Sequence, residues 1–224
     1  MDLDLLEEFL LIALDDDRGG FVIGSTALHY GFGGAVLLEL ALRNKIEIDG
    51  EKVILIDDCM ETEPAINKAI ELIKASKVEK IKRWIEILAK KAGDFKEDTL
   101  QRLINKGILS KEEQKILWII PTKKYPTSNM NPEMKVRERL NDVVQRGKKA
   151  EPRDVMLLSL IDATDLTKEA FRKAEDYKMI KARLSEVTKD VKISAAINKS
   201  LREIQTAIMI AITTTIVVTT ITTS

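Results

Sequence analysis

Apolar positions recur every three to four residues along the first half of the chain, which predicts a series of amphipathic helices. The clearest is 77–91, whose apolar face consists of Ile81, Trp84, Ile85 and Leu88. The same period predicts helices at Leu3–Leu14, 26–43, 63–75 and 94–106. Each helix would bury one face, so the pattern predicts a mainly α protein whose helices share a core.

Two shorter segments alternate apolar and polar residues instead, which predicts β-hairpins. Residues 45–57 carry this alternation on both sides of Asp49-Gly50, a dipeptide favoured in tight hairpin turns. Residues 107–120 predict a second hairpin, with the polar run Ser110–Lys115 at its turn and the apolar residues after that run in its second strand.

Prolines predict where the later helices begin, because proline fits the first turn of a helix. Pro132 opens one helix, Pro152 opens another, and a third is predicted near 168–187. The stretch 204–224 contains no charged residue and is long enough by count to cross a bilayer. Its many threonines favour a helix over 204–222 that is packed in the core, with a membrane anchor and an adhesive or disordered tail as the alternatives.

Composition limits the functions that the chain can carry. Lysine plus arginine equals aspartate plus glutamate, at 36 each, so no overall basic charge attracts nucleic acid or anionic lipid. One cysteine excludes an intramolecular disulfide, and with a single histidine the usual zinc sites and serine or cysteine triads are nearly excluded, which leaves a carboxylate-based enzyme as an alternative. The acidic N-terminal segment lacks the basic start of a signal peptide. We therefore expect a cytoplasmic protein without a metal or cofactor.

The sequence GFGGAVLLELALR places three glycines ahead of an apolar run. A dinucleotide-binding loop needs the spacing G-x-G-x-x-G after a strand, and Gly31, Gly33 and Gly34 do not have it. Gly31 and Gly34 lie on adjacent turns of one helical face, where a missing side chain lets another backbone approach. Glu39 and Arg43 are spaced for an i,i+4 ion pair at the end of this buried helix.

Four further features have alternative explanations. His29 has no second histidine or cysteine nucleophile to accompany it and is interpreted as structural. The run DDDRGG, residues 15–20, lacks the spacing of a calcium loop and is interpreted as a solvated turn. Residues 135–149 form a basic helix face that suits either solvent or phosphates. The helix 94–106 with the hairpin after it is also typical of a winged-helix module, which gives a nucleic-acid-binding protein as the alternative function.

Five segments, in order, resemble the Golgi phosphoprotein 3 family. LLEEFLLIALDD is the first, GFGGAVLLELALRNKI parallels the family's G-L-R-G-x-x-L-I-E-L-A-L-R-G-R-I, and IKRWIEIL matches its tryptophan helix. RLINKGILSKEEQKILW parallels the hairpin R-L-x-x-K-G-V-L-x-x-E-K-x-x-F-L. PRDVMLLSLIDATDLTKEAF is similar to L-L-A-L-x-x-A-S-D-V-L-E-N-A-F. The five segments lie in order along most of the chain, between residues 5 and 171.

This resemblance implies a single, mostly helical domain over 1–224, with two short β-hairpins and no catalysis. It also implies a peripheral membrane adaptor, since eukaryotic members bind phosphatidylinositol 4-phosphate at Golgi membranes and hold glycosyltransferase tails there. The family's headgroup positions fall on Gly24, Gly33, Gly93 and Lys96, of which only Lys96 can pair with a phosphate. We therefore expect a prokaryotic-type or divergent member whose headgroup site is largely not retained.

The resemblance also implies that the second hairpin takes part in membrane contact and oligomerisation. The residues at that place are Ile116, Leu117, Trp118, Ile119 and Ile120. Trp118 suits the membrane interface, where tryptophan is enriched. The expected partners are thus an anionic membrane lipid, other proteins, and a second copy of the chain held through the hairpin, while the neutral net charge disfavours nucleic acid.

Overall fold

The computed structural model describes residues 2–16, 18–49, 51–76, 80–116, 120–172 and 174–189, and most of 203–211. The helices of this described part are α1 Leu5–Ala13, α2 Ser25–Leu42, α3 Pro64–Ala75, α4 Ile81–Lys90, α5 Ala92–Asn105, α6 Asn131–Val144, α7 Pro152–Ala163, α8 Thr167–Ala170 and α9 Tyr177–Lys189. The strands are β1 Ile46–Asp49, β2 Lys52–Leu55, β3 Glu112–Ile116 and β4 Ile120–Lys124. They form two separate two-stranded sheets. The predicted mainly α class with two short hairpins is confirmed.

Helix α1 is buried on every side, although the sequence predicts an amphipathic helix. All nine of its residues are buried, including Glu7 and Glu8. The helix begins with a capping box, in which the Asp4 carboxylate accepts from the Glu7 backbone N–H at 2.8 Å. The prediction of an exposed face is wrong because cations cover both glutamates. Lys106 lies 2.7 Å from Glu7, and Arg139 lies 3.0 Å from Glu8.

Helix α2 is central to the fold and packs against α1, α4, α5 and α7. The ion pair predicted at its end is confirmed, with Arg43 Nε 2.8 Å from Glu39 Oε1. The Glu39 carboxylate also accepts from the backbone N–H of Leu5 at 2.9 Å. Arg43 reaches on to Glu63, at 2.9 Å, directly before α3. The pair therefore joins three helices rather than closing one.

The glycines of α2 are positions where its neighbours come very close. A Cβ on Gly31 would collide with the Phe9 ring, and a Cβ on Gly34 would lie 2.7 Å from Ile208. Close packing at both glycines is as predicted, but side chains rather than another backbone fill the space. The backbone approach occurs at Gly33, where a Cβ would lie 2.8 Å from the carbonyl oxygen of Ile85 in α4.

The first hairpin forms where the sequence predicts it. Strands β1 and β2 pair antiparallel, with Asp49 opposite Lys52, and Gly50 itself lies outside the described residues. Beside the hairpin, the buried Lys45 ammonium lies 2.7 Å from the Asp57 carboxylate. Because the cation is paired, its burial is tolerated and it fixes the chain on either side of the hairpin.

The second hairpin is present, but its turn lies elsewhere than predicted. The register of β3 and β4 pairs Ile116 with Ile120, so most of the polar run Ser110–Lys115 lies in the first strand and not in the turn, and the second strand is Ile120–Lys124 rather than the apolar run. The prediction is wrong because polar residues suit a strand of a two-stranded sheet as well as a turn, so hydropathy alone cannot separate the two. The remaining hairpin residues, Leu117, Trp118 and Ile119, lie outside the described part of the chain.

The second half of the chain adds α6 to α9 to the core. Pro132 lies in the first turn of α6, and α7 begins at Pro152, as predicted. The single helix predicted near 168–187 is wrong, since two helices, α8 and α9, occupy this region. Phe171 leaves the helical conformation, at φ −119° and ψ 44°, and is buried in the core. The Asp176 carboxylate then caps the start of α9 by accepting hydrogen bonds from the backbone N–H groups of Lys178 and Met179.

The helical residues between 203 and 211 bring the C-terminal segment against the core. Ile204, Ile208 and Ala211 are buried, and Ile208 packs on α2 at Gly34. Residues 212–224 lie outside the described part of the chain, so the core helix over 204–222 stays a prediction. Among the described residues, no helix has both the length and the apolar character needed to cross a bilayer.

Candidate functional site

Three of the four predicted headgroup positions lie at the starts of α2 and α5. Gly24 is the N-cap of α2, Gly93 lies in the first turn of α5, and Lys96 follows one turn later. The Lys96 ammonium lies 5.4 Å from the centroid of the Phe21 ring, which precedes Gly24 by three residues. A cation over an aromatic face is attracted by the negative face of the ring. This contact brings Lys96 to the segment that leads into α2.

The start of α2 is open to an anion. Gly24 is exposed, it has no side chain to accept from the first-turn N–H groups, and the first turn contains no acidic residue. Uncapped N–H groups at a helix start carry partial positive charge and favour negatively charged ligands. We name Phe21, Gly24 and Lys96 together the cationic end.

The positive charge of Lys96 is available to a ligand. Within the described part of the chain, no carboxylate forms an ion pair with Lys96. The nearby Asp94 is instead paired with Lys68 at 2.5 Å, and the hydrogen bond from Lys68 holds the pKa of Asp94 below its ordinary value. Gly93 is exposed, with open space where a Cβ would stand. A phosphate can therefore approach Lys96 without first breaking an ion pair.

Gly33, the fourth predicted position, is not brought together with the other three. It is buried between α2 and α4, where a Cβ would lie 2.8 Å from the Ile85 carbonyl oxygen and 3.0 Å from the Ala89 nitrogen. Both atoms belong to the backbone of α4 and cannot rotate away. A longer side chain at this position would have to push α4 aside, so Gly33 is a packing position in this fold.

Arg102 lies on the same helix as Lys96, but its guanidinium is used inside the protein. Its Nη1 lies 2.7 Å from Asp4 and 3.1 Å from Glu7, both of which are buried at the start of α1. Arg102 therefore neutralises α1 and does not add to the cationic end. A recognition helix for nucleic acid needs its basic residues on the outside, so this arrangement gives the winged-helix alternative no support.

Two arginines of the basic helix face predicted at 135–149 are also used inside the protein, while Lys135, Arg146, Lys148 and Lys149 are exposed. Arg139 lies 3.0 Å from Glu8 and 2.6 Å from Asp154. Burial raises the pKa of Glu8, and the hydrogen bond from Arg139 opposes that rise. Arg137 is paired with carboxylates of α6 and α8. These arginines bridge helices, so they are not free to contact phosphates.

Comparison with known proteins decides the family of this fold. The family model described as Golgi phosphoprotein 3 (GPP34) matches residues 5–204. The chain belongs to the Golgi phosphoprotein 3 family. Vacuolar protein sorting-associated protein 74 of Schizosaccharomyces pombe is 25% identical over 164 residues, which are 63% of this chain and 48% of that protein. The protein of the same name in Eremothecium gossypii is 25% identical over 163 residues, with 63% and 49% covered. The chain spans about half the length of the curated relatives it matches.

In this Golgi phosphoprotein 3 family fold, two carboxyl groups that are far apart in the sequence, and that no sequence motif singles out, line the same cavity. Asp16, between α1 and α2, and Glu133, on α6, line one cavity of about 700 Å³. Interpreting the run at 15–20 as a solvated turn is wrong for Asp16, whose side chain is only 9% exposed. Arg172 covers it, and the Thr127 hydroxyl donates to it at 3.3 Å. No sequence signal connects these residues, because the contact depends on the packing of α6.

The two carboxyl groups differ in their affinity for a proton. The pKa of Glu133 is raised to about 7, by burial first and by its hydrogen bond with Asp16 second, while Arg137 opposes the rise. Burial would also raise the pKa of Asp16, but hydrogen bonds from Glu133 and Arg172 hold it below its ordinary value. Below neutral pH the pair therefore holds one proton, which it loses as the pH rises through about 7.

Metal-binding and nucleophilic groups are sparse in the part of this Golgi phosphoprotein 3 family fold that the structure describes. No group of three or more His, Cys, Asp or Glu side chains there could hold a metal ion. Cys59 is exposed, and the hydrogen bond with Asp57 raises the pKa of its thiol. A raised pKa lowers the thiolate fraction, so Cys59 has the opposite of the activation that a nucleophilic cysteine needs.

Proposed function

We propose that the protein is a non-enzymatic adaptor that associates peripherally with anionic membrane surfaces from the cytoplasmic side. The observation that carries this proposal is the cationic end, where Lys96 lies over the ring of Phe21, three residues before the uncapped start of α2. Lys96 offers a charged donor and the α2 amides offer neutral donors, a combination that suits a phosphate. Membership of the family supports this class of function, and the relatives' name, vacuolar protein sorting-associated, agrees with work at membranes.

In this proposal the site discriminates little among anionic lipids. Gly24 and Gly93 stand at family headgroup positions without a side chain, and Lys96 alone supplies a charge. A lysine acts as a point charge, whereas an arginine binds a phosphate with two parallel N–H groups. Each missing charge-assisted contact weakens binding by about 1.5–3 kcal/mol. Phosphatidylinositol 4-phosphate would then be bound as one anion among others.

The second hairpin supplies the other membrane contact in this proposal. The paired residues Ile116 and Ile120 end its ladder, and three apolar residues connect them. The base of the hairpin is tied to the fold, since the Tyr125 N–H donates to the Gly19 carbonyl oxygen at 3.0 Å. An apolar end on an anchored ribbon suits insertion at the headgroup boundary, with self-association and protein partners as the competing uses.

Lys96→Glu is expected to weaken association with phosphatidylcholine vesicles that contain phosphatidylserine or phosphatidylinositol 4-phosphate. We expect a loss of at least about tenfold in affinity, because the variant removes one charge-assisted contact worth about 1.5–3 kcal/mol and adds repulsion. Vesicle flotation over a range of lipid concentrations measures the loss. Equal weakening on both anionic vesicles is the expected pattern.

The matched control for this experiment is Lys168→Glu, which makes the same charge change at an exposed position on α8. It should leave vesicle binding nearly unchanged. If both variants lose binding equally, net charge and not the cationic end drives association. If the unchanged protein floats with neither vesicle but binds a random duplex with steep salt dependence, the winged-helix alternative replaces this proposal.

Trp118→Ala is expected to weaken binding to the same vesicles by roughly tenfold, because burying a large apolar side chain contributes about 1.5–3 kcal/mol. Met179→Ala is the control, since Met179 is an exposed apolar residue on α9. Size-exclusion chromatography of both variants separates the two uses of the hairpin. A change in oligomeric state without a change in flotation would assign Trp118 to self-association.

A further inference from the structure

Asp16 and Glu133, which we name the latch pair, join the α1–α2 loop (residues 14–24) to α6. Glu133 is 2% exposed, and its Oε1 accepts from Arg137 Nε at 2.6 Å. Its Oε2 is buried and has no donor among the described residues. A buried carboxylate oxygen without a donor is costly, whereas a proton on Glu133 turns it into a donor, and Asp16 is its hydrogen-bond partner. The geometry therefore favours one proton between the two carboxyl groups.

The charged groups that face the latch pair come from α6, from α8, and from Arg172, which lies two residues after the end of α8. Arg137 bonds to Glu133, and Arg172 bonds to Asp16. Both arginines also bond to Glu169 of α8. Two arginines are thus divided among three carboxyl groups. While the pair holds a proton, the two arginines balance the two remaining carboxylates. When the proton is lost, three carboxylates face two arginines, and one negative charge is in excess.

Charged groups from the other elements packed on α6 are directed elsewhere. Glu8 of α1 and Asp154 of α7 both pair with Arg139. Within the described part of the chain, no side chain of α9 bonds to Glu133. Glu138 and Arg146 line the same cavity, and Arg146 is paired with Asp142. The surroundings therefore supply no further cation that would hold Glu133 in its ionised form.

The loop that carries Asp16 also holds the base of the second hairpin. The Thr127 N–H donates to the Asp16 carbonyl oxygen at 3.2 Å, and the Thr127 hydroxyl donates to the Asp16 carboxylate at 3.3 Å. Gly19 accepts from Tyr125, the residue directly after β4, at 3.0 Å. A displacement of Asp16 from α6 therefore acts on the strand that leaves the hairpin.

We propose that the latch pair is a proton-dependent latch, which holds the α1–α2 loop and the hairpin base on α6 while it shares a proton and releases them when the proton is lost. Ionisation of Glu133 adds a second negative charge to the cavity that Asp16 also lines, and like charges in one site repel. The cavity of about 700 Å³ beside the pair gives the loop room to move and admits water. The latch does not depend on the membrane-binding proposal.

The direction of the pH effect follows from proton linkage. The pKa of Glu133 is about 7 in the folded protein, above its ordinary value of 4.5. Its contribution to stability is therefore complete below the ordinary value and is lost as the pH rises through neutral. Asp16 acts in the opposite sense, because its pKa is lowered from 3.8 and its contribution is lost in stronger acid. The latch is closed in mildly acidic solution, between these two ranges.

Glu133→Gln tests the latch directly. The amide keeps the shape of the protonated acid, donates to Asp16 and accepts from Arg137, yet it does not titrate. Hydrogen exchange followed by mass spectrometry would compare peptides covering 14–24 and 124–130 below and above neutral pH. After correction for intrinsic exchange, opening of the unchanged protein should increase by up to about tenfold per pH unit between the ordinary Glu133 pKa of 4.5 and the folded value of about 7, and level off above it. The Glu133→Gln variant should show no such increase.

Two further variants and one spectroscopic measurement complete the test. Glu138→Gln makes the same substitution at an exposed residue of α6 and should follow the unchanged protein. Asp16→Asn removes the carboxylate repulsion and should hold the loop at both pH values. Infrared spectra should show a protonated carboxyl band just below neutral pH that Glu133→Gln removes. Protection that is the same at both pH values in the unchanged protein would overturn the proposal, as would equal behaviour of the Glu133 and Glu138 variants.

Discussion

Replacing Gly33 with alanine is expected to destabilise the folded protein by roughly 2–3 kcal/mol. The added Cβ would lie 2.8 Å from the Ile85 carbonyl oxygen and 3.0 Å from the Ala89 nitrogen. Because both are backbone atoms of α4, no side-chain rotation relieves the collision, and α2 and α4 must separate. The gain in helix propensity, about 1 kcal/mol, is smaller than this cost. Chemical denaturation followed by circular dichroism measures the difference in the free energy of unfolding.

Gly93→Ala is the matched control for this substitution. Gly93 is also helical, but a Cβ there meets nothing within 4 Å. We expect a gain of about 0.5 kcal/mol, since alanine restricts the unfolded chain more than glycine does. A Gly33→Ala variant as stable as the unchanged protein would mean that α2 and α4 lie further apart than described. A folded, stable Gly33→Arg variant would return this position to the lipid-facing side.

The packing of Gly33 against α4 shows what a sequence pattern can and cannot establish about a central helix. The residue order predicted that α2 is buried and that its glycines allow close packing. It could not predict which neighbour meets which glycine, because α2 is apolar around most of its circumference and periodicity then gives no orientation. An alignment places Gly33 at a headgroup position by its number in the chain, whereas packing places it against α4.

Local signals predicted most of the elements, and the errors lie where distant contacts decide. The dipeptide Asp49-Gly50 and the prolines at 132 and 152 work within a few residues, so they could be read from the sequence. The break between α8 and α9 could not, because it depends on burial of Phe171 in a core formed by other helices. The turn of the second hairpin was misplaced because a polar run suits a strand of a two-stranded sheet as well as a turn.

Ion pairs also divide into local ones, which the sequence predicts, and ones between distant residues, which it does not. The pair Glu39–Arg43 spans one helical turn and was predicted from its spacing, whereas the latch pair joins residues far apart in the chain. The arginines of α6 form a basic face in the sequence because most of their carboxylate partners come from α1, α7 and α8. The charge of a helix face can therefore be read from the sequence, but whether that charge is already neutralised cannot.

Glu39→Ala is expected to be the most destabilising of these substitutions, by about 3–5 kcal/mol. The Glu39 side chain is 1% exposed, accepts from the Leu5 N–H at 2.9 Å, and lies 2.8 Å from Arg43 and 3.3 Å from Arg153. Alanine removes the common acceptor of donors from α1, α7 and the end of α2. The Leu5 N–H then stays buried without a partner, and two arginines lose a counter-charge.

Two further variants are needed to interpret this result: one is a control at an exposed ion pair, and the other separates the hydrogen bond of Glu39 from its charge. Glu86→Ala breaks an exposed i,i+3 pair with Arg83, at 3.0 Å, and should cost less than about 1 kcal/mol. Glu39→Gln keeps an acceptor for Leu5 but removes the negative charge. If it is as unstable as Glu39→Ala in chemical denaturation, charge balance holds this junction. If it resembles the unchanged protein, the hydrogen bond to the start of α1 is the main contribution. A Glu39→Ala variant no less stable than Glu86→Ala would contradict the buried junction altogether.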